Sequence, residues 1–322
     1  MAFQANTLAT YQAIGNREDL SDMIYRIAPT VTPFVSGIAR ESANATKHEW
    51  QTQDLAAAAS NAQLEGDDPS TNATTVTVRL SNVTQISYKV ARVSGTQQAV
   101  RHAGRSNELA YQAMLKGLEL KRDIEFNCLA NQTQVAGDTT TARQTAAVLS
   151  WIKTNTDKAS DGTTPSTSGS NSRGDGTQRA FLESQLKSVL QQCFTQGGNP
   201  DTIMAGPFNK QVFSTFTGRS SPIQDAKSKK ITASVDVYES DFGSLKVVPN
   251  RFLRLDGSSR IGREVLVLEM EKWALAFLNG RNTIQIPLAK TGDSDRRQVL
   301  SEWTLVSRNE KASGGIFDLT TA

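Results

Sequence analysis

Two histidines and two cysteines are all that this 322-residue sequence holds of the side chains most used in nucleophilic and metal chemistry. A histidine-based triad or a multi-histidine metal centre therefore has almost no raw material. His48 sits in a strand-like stretch and His102 just ahead of a long helical pattern, where both read as partly exposed structural side chains. Cys128 and Cys193 each fall inside an apolar helical pattern, which reads as a buried free thiol in a reducing cytoplasm rather than a disulfide or a metal pair. Also absent are the Gly-x-x-x-x-Gly-Lys-Ser/Thr phosphate cradle, the Gly-x-Ser-x-Gly elbow, His-Glu-x-x-His and any Cys-x-x-Cys. Nucleotide hydrolysis, esterase chemistry and zinc chemistry lose their usual signatures, so the chain reads as a non-enzyme with no catalytic residue, cofactor or metal.

A surplus of one charge is missing as well. Lys and Arg number 35 against 32 Asp and Glu, a formal net charge of +3 that is too small for a dedicated reader of nucleic acid. No window approaches the roughly 18 apolar residues that span a bilayer, and Met1 to Asn6 lacks the basic start and apolar run of a signal peptide. Asn-x-Thr triplets at Asn44, Asn72, Asn82 and Asn131 carry no weight in an Asn- and Thr-rich chain without such a leader. The carboxylates of Glu65-Gly66-Asp67-Asp68 and Asp293-Ser294-Asp295 sit in turn-rich stretches and read as solvated loop charge rather than acid/base or calcium sites. Arg173-Gly174-Asp175 spells an adhesion tripeptide, but within a Gly/Ser/Asn stretch it reads as surface filler. Lys227, Lys229 and Lys230 read as a solvated edge.

What is present is a polar chain, 38% hydrophobic and 21% charged, suited to long strands and loops around a modest core. Asn16 to Leu20 can cap and open a short helix through Ile27, which Pro29 and Pro33 stop, leaving an extended arm. From Thr46 to Val93 the pattern turns to period two. Val76, Val78 and Leu80 alternate with polar residues, as do Ile86, Tyr88 and Val90, with a turn at Gly66 to Pro69. Such a long two-stranded excursion is not stable on its own and needs something to lie on. Ser106 or Asn107 then caps a helix running to about Ala130 or Asn131, roughly 35 Å long, with Ala113, Gly117, Leu120, Ile124 and Cys128 on one side.

Residues 137–177, rich in Gly, Asp, Thr and Ser, read as a mobile loop at a subdomain boundary, facing solvent and tolerant of insertion between Asp157 and Gly176. A helix capped by Thr177 follows, with Leu182, Leu186, Val189, Leu190, Cys193 and Phe194 on one face, and Gly197-Gly198 end it. A short strand at Thr202 to Ala205 precedes a helix from Pro207 through Phe216. Beyond Ile231 the chain is β, with Val235 and Val237 facing Leu245 and Val247 across Asp241, then strands at Val265–Met270, Trp273–Leu278, Asn282–Leu288 and Val299–Val306. The class is α+β with mostly antiparallel pairing.

Arm, long polar hairpin, long helix, α+β subdomain and returning strands follow the order of the Hong Kong 97-type fold of tailed-phage major capsid proteins. Arg17-Glu18-Asp19-Leu20-Ser21-Asp22, followed by Ile27-Ala28-Pro29-Thr30-Val31-Thr32-Pro33-Phe34, resembles the opening of a capsid family of podoviruses and related phages, within a motif spanning residues 16–38. The layout resembles the fold over nearly the whole chain. It implies an N-terminal arm at 1–45, an extended E-loop at 46–93, and a peripheral domain at 94–176 that holds the spine helix. It further implies an axial domain at 177–280 and returning peripheral strands at 281–322. The implied function is a major capsid protein that forms pentamers and hexamers of an icosahedral head around double-stranded DNA contacted non-specifically, assembled in the bacterial cytoplasm without a membrane. The implied partners are further copies of the chain, a separate scaffolding protein, a portal and a cement protein. Pro33, Phe34, Trp50, Val76, Val78, Ile86 and Tyr88 are the expected inter-subunit contacts. Some members of the fold join subunits by a Lys-Asn isopeptide bond, and Lys47 lies in the right region, but with no matching partner non-covalent contact is expected. Another virion subunit (decoration, tail or array-forming) and an enzyme with an unfamiliar carboxylate site are the alternatives.

Overall fold

The computed structural model describes residues 30–68, 74–101, 106–166, 169–216, 236–253 and 262–321. The expected helix from Asn16 to Ile27, most of the 16–38 motif, His102 and the basic run at Lys227, Lys229 and Lys230 lie outside the described residues.

In chain order, α1 (Pro33–Gly37) leads to β1 (Ala39–Ala43), β2 (Lys47–Thr52), β3 (Val78–Val83) and β4 (Gln85–Ser94). Then come α2 (Gly95–Ala99), the long α3 (Glu108–Leu129), α4 (Val148–Trp151), β5 (Asn155–Asp157) and α5 (Glu183–Thr195). After these follow β6 (Thr202–Ala205), α6 (Pro207–Phe213), β7 (Val237–Ser240), β8 (Gly243–Pro249) and β9 (Val265–Leu268). The last strands are β10 (Trp273–Leu278), β11 (Ile284–Leu288), β12 (Ser294–Ser307) and β13 (Gly314–Ile316).

Two sheets carry the molecule. In the first, β12 is antiparallel to β4 along one edge and to β10 and β11 end to end along the other, and β1 adds in parallel to β10. The second runs β5-β13-β9-β6-β8-β7. Its central strands are apolar on both faces, and the period of two divides their side chains between two cores. Leu266 and Leu268 of β9, with Met204 of β6, join α3, α4 and the tryptophans of the first sheet. Val265 and Val267, with Ile203 and Ala205, face α5, Phe213 and Leu319 instead. A third ladder, β2 with β3, is a separate two-stranded ribbon.

Several sequence expectations need correction here. Ile86, Tyr88 and Val90 do not belong to the hairpin: β4 pairs with β12 from Ser94↔Ser294 to Gln85↔Trp303, so the ribbon ends at Val83. Alternation is the same in a free hairpin limb and in a sheet strand, and the longer partner edge wins. Trp273–Leu278 pairs with β12 in the first sheet rather than with the 177–280 segment, while Gly314–Ile316 crosses into the second sheet between β5 and β9. The helix expected from Thr177 starts at Glu183, because Thr177 donates its amide to Asp161 at 2.9 Å and Arg179 bridges to Leu319. The next helix stops at Phe213, short of Phe216.

The stretch expected to be a mobile, solvent-facing loop is instead tied down. Arg173 is only 3% exposed, pairs with the buried Asp318 and lies 4.5 Å over the ring of Phe317. Asn131 takes the Arg173 amide at 3.1 Å and returns its own side-chain amide to the Arg173 carbonyl at 2.7 Å. The adhesion-like tripeptide is thus a buried structural joint. Its arginine has a partner 145 residues away, which no local composition reveals.

Helix α3 agrees closely with its sequence. The Asn107 side chain accepts from the Ala110 amide at 2.9 Å, capping the first turn, and Ala113, Leu120, Ile124 and Cys128 form the buried stripe. Both Cys128 and Cys193 are buried free thiols, and burial pushes the thiol of Cys193 up to about 12. Opposite the stripe, Lys116 pairs with Glu119 at 2.8 Å and Asp123 with Lys89 at 2.7 Å. Two acidic residues of the helix are buried, Glu108 in its first turn and, with no exposure at all, Glu125. Its oxygens accept from the amides of Phe34 at 3.0 Å and Val35 at 2.7 Å and from the side chain of Asn250 at 2.6 Å. Burial raises its carboxyl above the ordinary glutamate value against those three donors. Pro33 opens α1 without an amide of its own, so the two donors that follow it are the ones Glu125 satisfies.

Glu125→Ala leaves three buried donors without an acceptor, at a cost of about 3 kcal/mol. Chemical denaturation of the purified chain is expected to show that loss, and a loss under about 0.5 kcal/mol, the range of an ordinary surface substitution, would show that Glu125 does not hold α1 to the long helix.

Candidate inter-subunit surfaces

The chain carries two features that a lone subunit leaves unfinished. The first is the excursion between β2 and β3. At its root the ribbon is anchored: Trp50 stands opposite Leu80, packs 5.5 Å from Trp151 and donates its indole N–H to the Ser307 carbonyl at 2.9 Å. Asn82, buried, donates to the carbonyls of Leu305 at 2.7 Å and Ala146 at 3.2 Å. Above Thr52 the described residues of the excursion lie in solvent, with Leu55 90%, Leu64 81% and Val76 82% exposed. Glu65, Asp67 and Asp68 give the turn at Gly66 an acidic tip. At about 3.3 Å per residue, a dozen residues per limb reach roughly 40 Å.

The second feature is one face of the first sheet. Helix α3 covers the side bearing Val299. On the opposite side the antiparallel registers align Tyr88, Leu300 and Ile284 in one row, Val90, Gln298 and Ile286 in the next, and Arg92, Arg296 and Leu288 beyond. Tyr88 is 58% and Ile86 44% exposed. The result is an apolar strip with an arginine rim. At its other end the buried Glu302 takes Arg143 at 2.6 Å, Arg281 at 2.7 Å and the Thr84 hydroxyl at 2.9 Å, which holds the first turn of β4 in place.

The contact residues expected from the sequence therefore separate. Val76 and Val78 are exposed on the ribbon, and Ile86 and Tyr88 on the sheet face. Trp50 is half-buried in its own subunit and Pro33 likewise. Phe34 is fully buried, edge-on to Trp273 at 6.3 Å, so it is a core residue and not a contact. Sequence reasoning passed over Ile284, Ile286 and Leu288, whose period of two and central Pro287 mark an edge strand. It also placed Phe194 and Leu182 on a buried face, whereas they are 58% and 53% exposed and Phe194 stacks on Phe242 at 4.8 Å. Phe194 lies in the last turn of α5.

Among the described residues no group of three or more His, Cys, Asp and Glu side chains gathers in metal-binding geometry, and no helix is long and apolar enough to cross a membrane. An open cleft of about 440 Å³ lined by Ala39, Glu271, Lys272, Arg308 and Asn309 brings together no nucleophile and base.

Residues 4–320 match the profile of the family described as SU10 major capsid protein. The chain belongs to the SU10 major capsid protein family. It is 29% identical to the major capsid protein of Escherichia phage Phieco32, over 96% of each chain. Among solved structures it resembles a chain of Gordonia phage Cozz, with a TM-score of 0.65 at 10% identity over 99% of this chain and 97% of that one. It also resembles the capsid of a native GTA particle, with a TM-score of 0.63 at 11% identity over 98% and 100%. The architecture is the Hong Kong 97-like capsid fold, and the chain is a structural protein of a phage virion.

Limited proteolysis of the soluble capsid subunit is expected to cut first within residues 53–77 and only later within 157–176, reversing the order suggested by composition. First cleavage in 157–176 would show that the Arg173 joint does not hold in solution.

Proposed function

We propose that this capsid protein forms pentamers and hexamers that close an icosahedral head around double-stranded DNA, in the bacterial cytoplasm, with a separate scaffolding protein, a portal and a cement protein, and that it catalyses no reaction. The peripheral domain is then the first sheet with α3, the axial domain the second sheet with α5 and α6, and the E-loop residues 47–83. The observation that carries the reading is the family profile over 4–320, joined to an excursion between β2 and β3 whose outer part finds no cover among the described residues.

The E-loop tip lies on a neighbouring subunit in this reading. Its exposed Leu55, Leu64 and Val76 match the apolar strip of Ile86, Tyr88, Val90 and Ile286, and Glu65, Asp67 and Asp68 match the rim of Arg92 and Arg296 in charge. Burying both surfaces removes an aggregation hazard from each and offsets the entropy of ordering the loop. Val76, Val78, Ile86 and Tyr88 remain the proposed contacts, and the exposed Phe194 and Phe242 stack supports contact between axial domains. The joint is non-covalent.

Deleting Asp54 to Thr75 is expected to leave a soluble subunit with intact helical circular dichroism that no longer forms closed shells under negative stain, with scaffolding protein supplied. Closed shells from the deletion variant would remove the E-loop from the assembly contact. An unfolded variant would place the loop in the subunit's own core.

A further inference from the structure

The joint around Arg173 holds more carboxylate than it can neutralise. Arg173, on the segment leading to α5, meets Asp318, just past β13, and lies 3.5 Å from Asp175. Arg263, at the entry to β9, pairs with Asp175 at 2.6 Å. Those two arginines and two aspartates balance. Glu264, next along the chain and fully buried, is a third carboxylate, and neither of its oxygens accepts a hydrogen bond from a described residue. Beyond this inner set, β5 contributes Asp157, paired with Arg179. The loop adds Asp161, bound to Thr177, and Lys158, which donates to the Gly162 carbonyl at 2.6 Å. None of these outer groups supplies a spare cation to Glu264.

Asp318 is the other half of the arrangement. It sits at φ +61°, a left-handed conformation unusual for a residue with a side chain, and its carboxylate fixes two separate strands of the loop. One oxygen accepts from the Gly176 amide at 2.9 Å and the other from the Ala159 amide at 3.0 Å. Burial opposes its ionisation, but those amides and Arg173 outweigh burial and keep the carboxyl below its ordinary value. Arg173 meanwhile has Nε and Nη1 without a hydrogen-bond acceptor among the described residues.

We infer that Glu264 is a proton-operated release for the joint that fastens the 157–177 loop to the C-terminal strand. Protonated, it leaves Arg173 to Asp318 and the cluster is balanced. Once ionised, it is a buried anion within the field of both arginines, whose unfilled donors are Nε and Nη1 of Arg173 and Nε of Arg263, so it competes with Asp318 for the Arg173 guanidinium and the Asp318 contacts to Ala159 and Gly176 loosen. Burial lifts the Glu264 carboxyl from the ordinary 4.5 to about 8. A carboxyl raised in the folded state contributes its full stabilisation below the unfolded value and loses it as the pH rises through the folded one. The joint is therefore tightest below about pH 4.5 and loosens progressively as the pH rises from there to about 8.

Hydrogen exchange of the full chain, read at Ala159 and Gly176 and divided by the intrinsic rate at each pH, tests this. Protection is expected to fall about tenfold or more from pH 6 to 9 in the unaltered chain, and to stay constant in Glu264→Gln, which keeps the shape and cannot ionise. A pH-independent protection in the unaltered chain, or an equal fall in the variant, would overturn the inference. Should the variant not fold, the infrared difference spectrum of the unaltered chain between pH 6 and 9 decides. Loss of a protonated carboxyl band with a midpoint near pH 8 supports the release, and its absence refutes it.

Discussion

The fold depends on β12. It is 14 residues long and hydrogen-bonded on both edges, to β4 along one side and to β11 and then β10 along the other. From Val299 to Ser307 every residue is buried, so its two faces must both be covered by something. The long helix and the tryptophan core take the face of Val299, Trp303 and Leu305. At the far end of the opposite face, Val306 joins Ala43, Ala274 and Ala276, and Trp50 of the ribbon closes over them. The polar atoms on that face are satisfied by long-range partners: Thr304 by Thr145 at 3.0 Å, Glu302 by two arginines, and the Leu305 carbonyl by Asn82. Because these bonds are directional, they set where the ribbon leaves the body. A shift of one residue in β12 would turn each of them to the wrong side.

The same strand explains why the subunit is incomplete. Among the described residues the near half of that face is only partly covered: Leu300 is buried, but Ile86, Tyr88 and Val90 on the neighbouring strand are 44%, 58% and 38% exposed. A monomeric protein would ordinarily lay a helix or loop across such a strip. Among the described residues, the ribbon is held at its root over the other end of the strand, and its outer part lies in solvent. Membership of a capsid family fits a subunit that leaves such a strip open.

Local chemistry made some of this legible in the sequence and left the rest silent. The long helix could be read to within a residue or two because its cap, Asn107, and its stripe from Ala113 to Cys128 are local signals. Apolar runs marked β9, β10 and β11 in place, but β12 begins at Ser294 rather than Val299 because its first half is polar, and the three-residue β13 carries no local signal. Which sheet a strand joins could not be read, since period two says only that a strand has two faces. Ile86, Tyr88 and Val90 were assigned to the hairpin for that reason. Pro33-Phe34 had the look of an arm contact, yet the acceptor that seats Phe34 is Glu125, 91 residues on. Arg173 stood in a composition that normally stays solvated, and only its distant partner Asp318 removes it from water.

Those last two cases share a logic. Glu125 and Asp318 are buried carboxylates placed where a segment meets the core: α1 at the first, and the 157–177 loop at the second. A buried charge with its donors is a weak source of net stability, because desolvation cancels most of what the contacts contribute. What it does supply is direction, since an amide or guanidinium must approach a carboxylate along a narrow range of angles, whereas an apolar side chain packs in many. In a subunit whose task is to meet its neighbours at set angles, direction at the exits matters more than another increment of burial. The apolar cores hold the two sheets together, and the buried carboxylates aim the segments that reach beyond them.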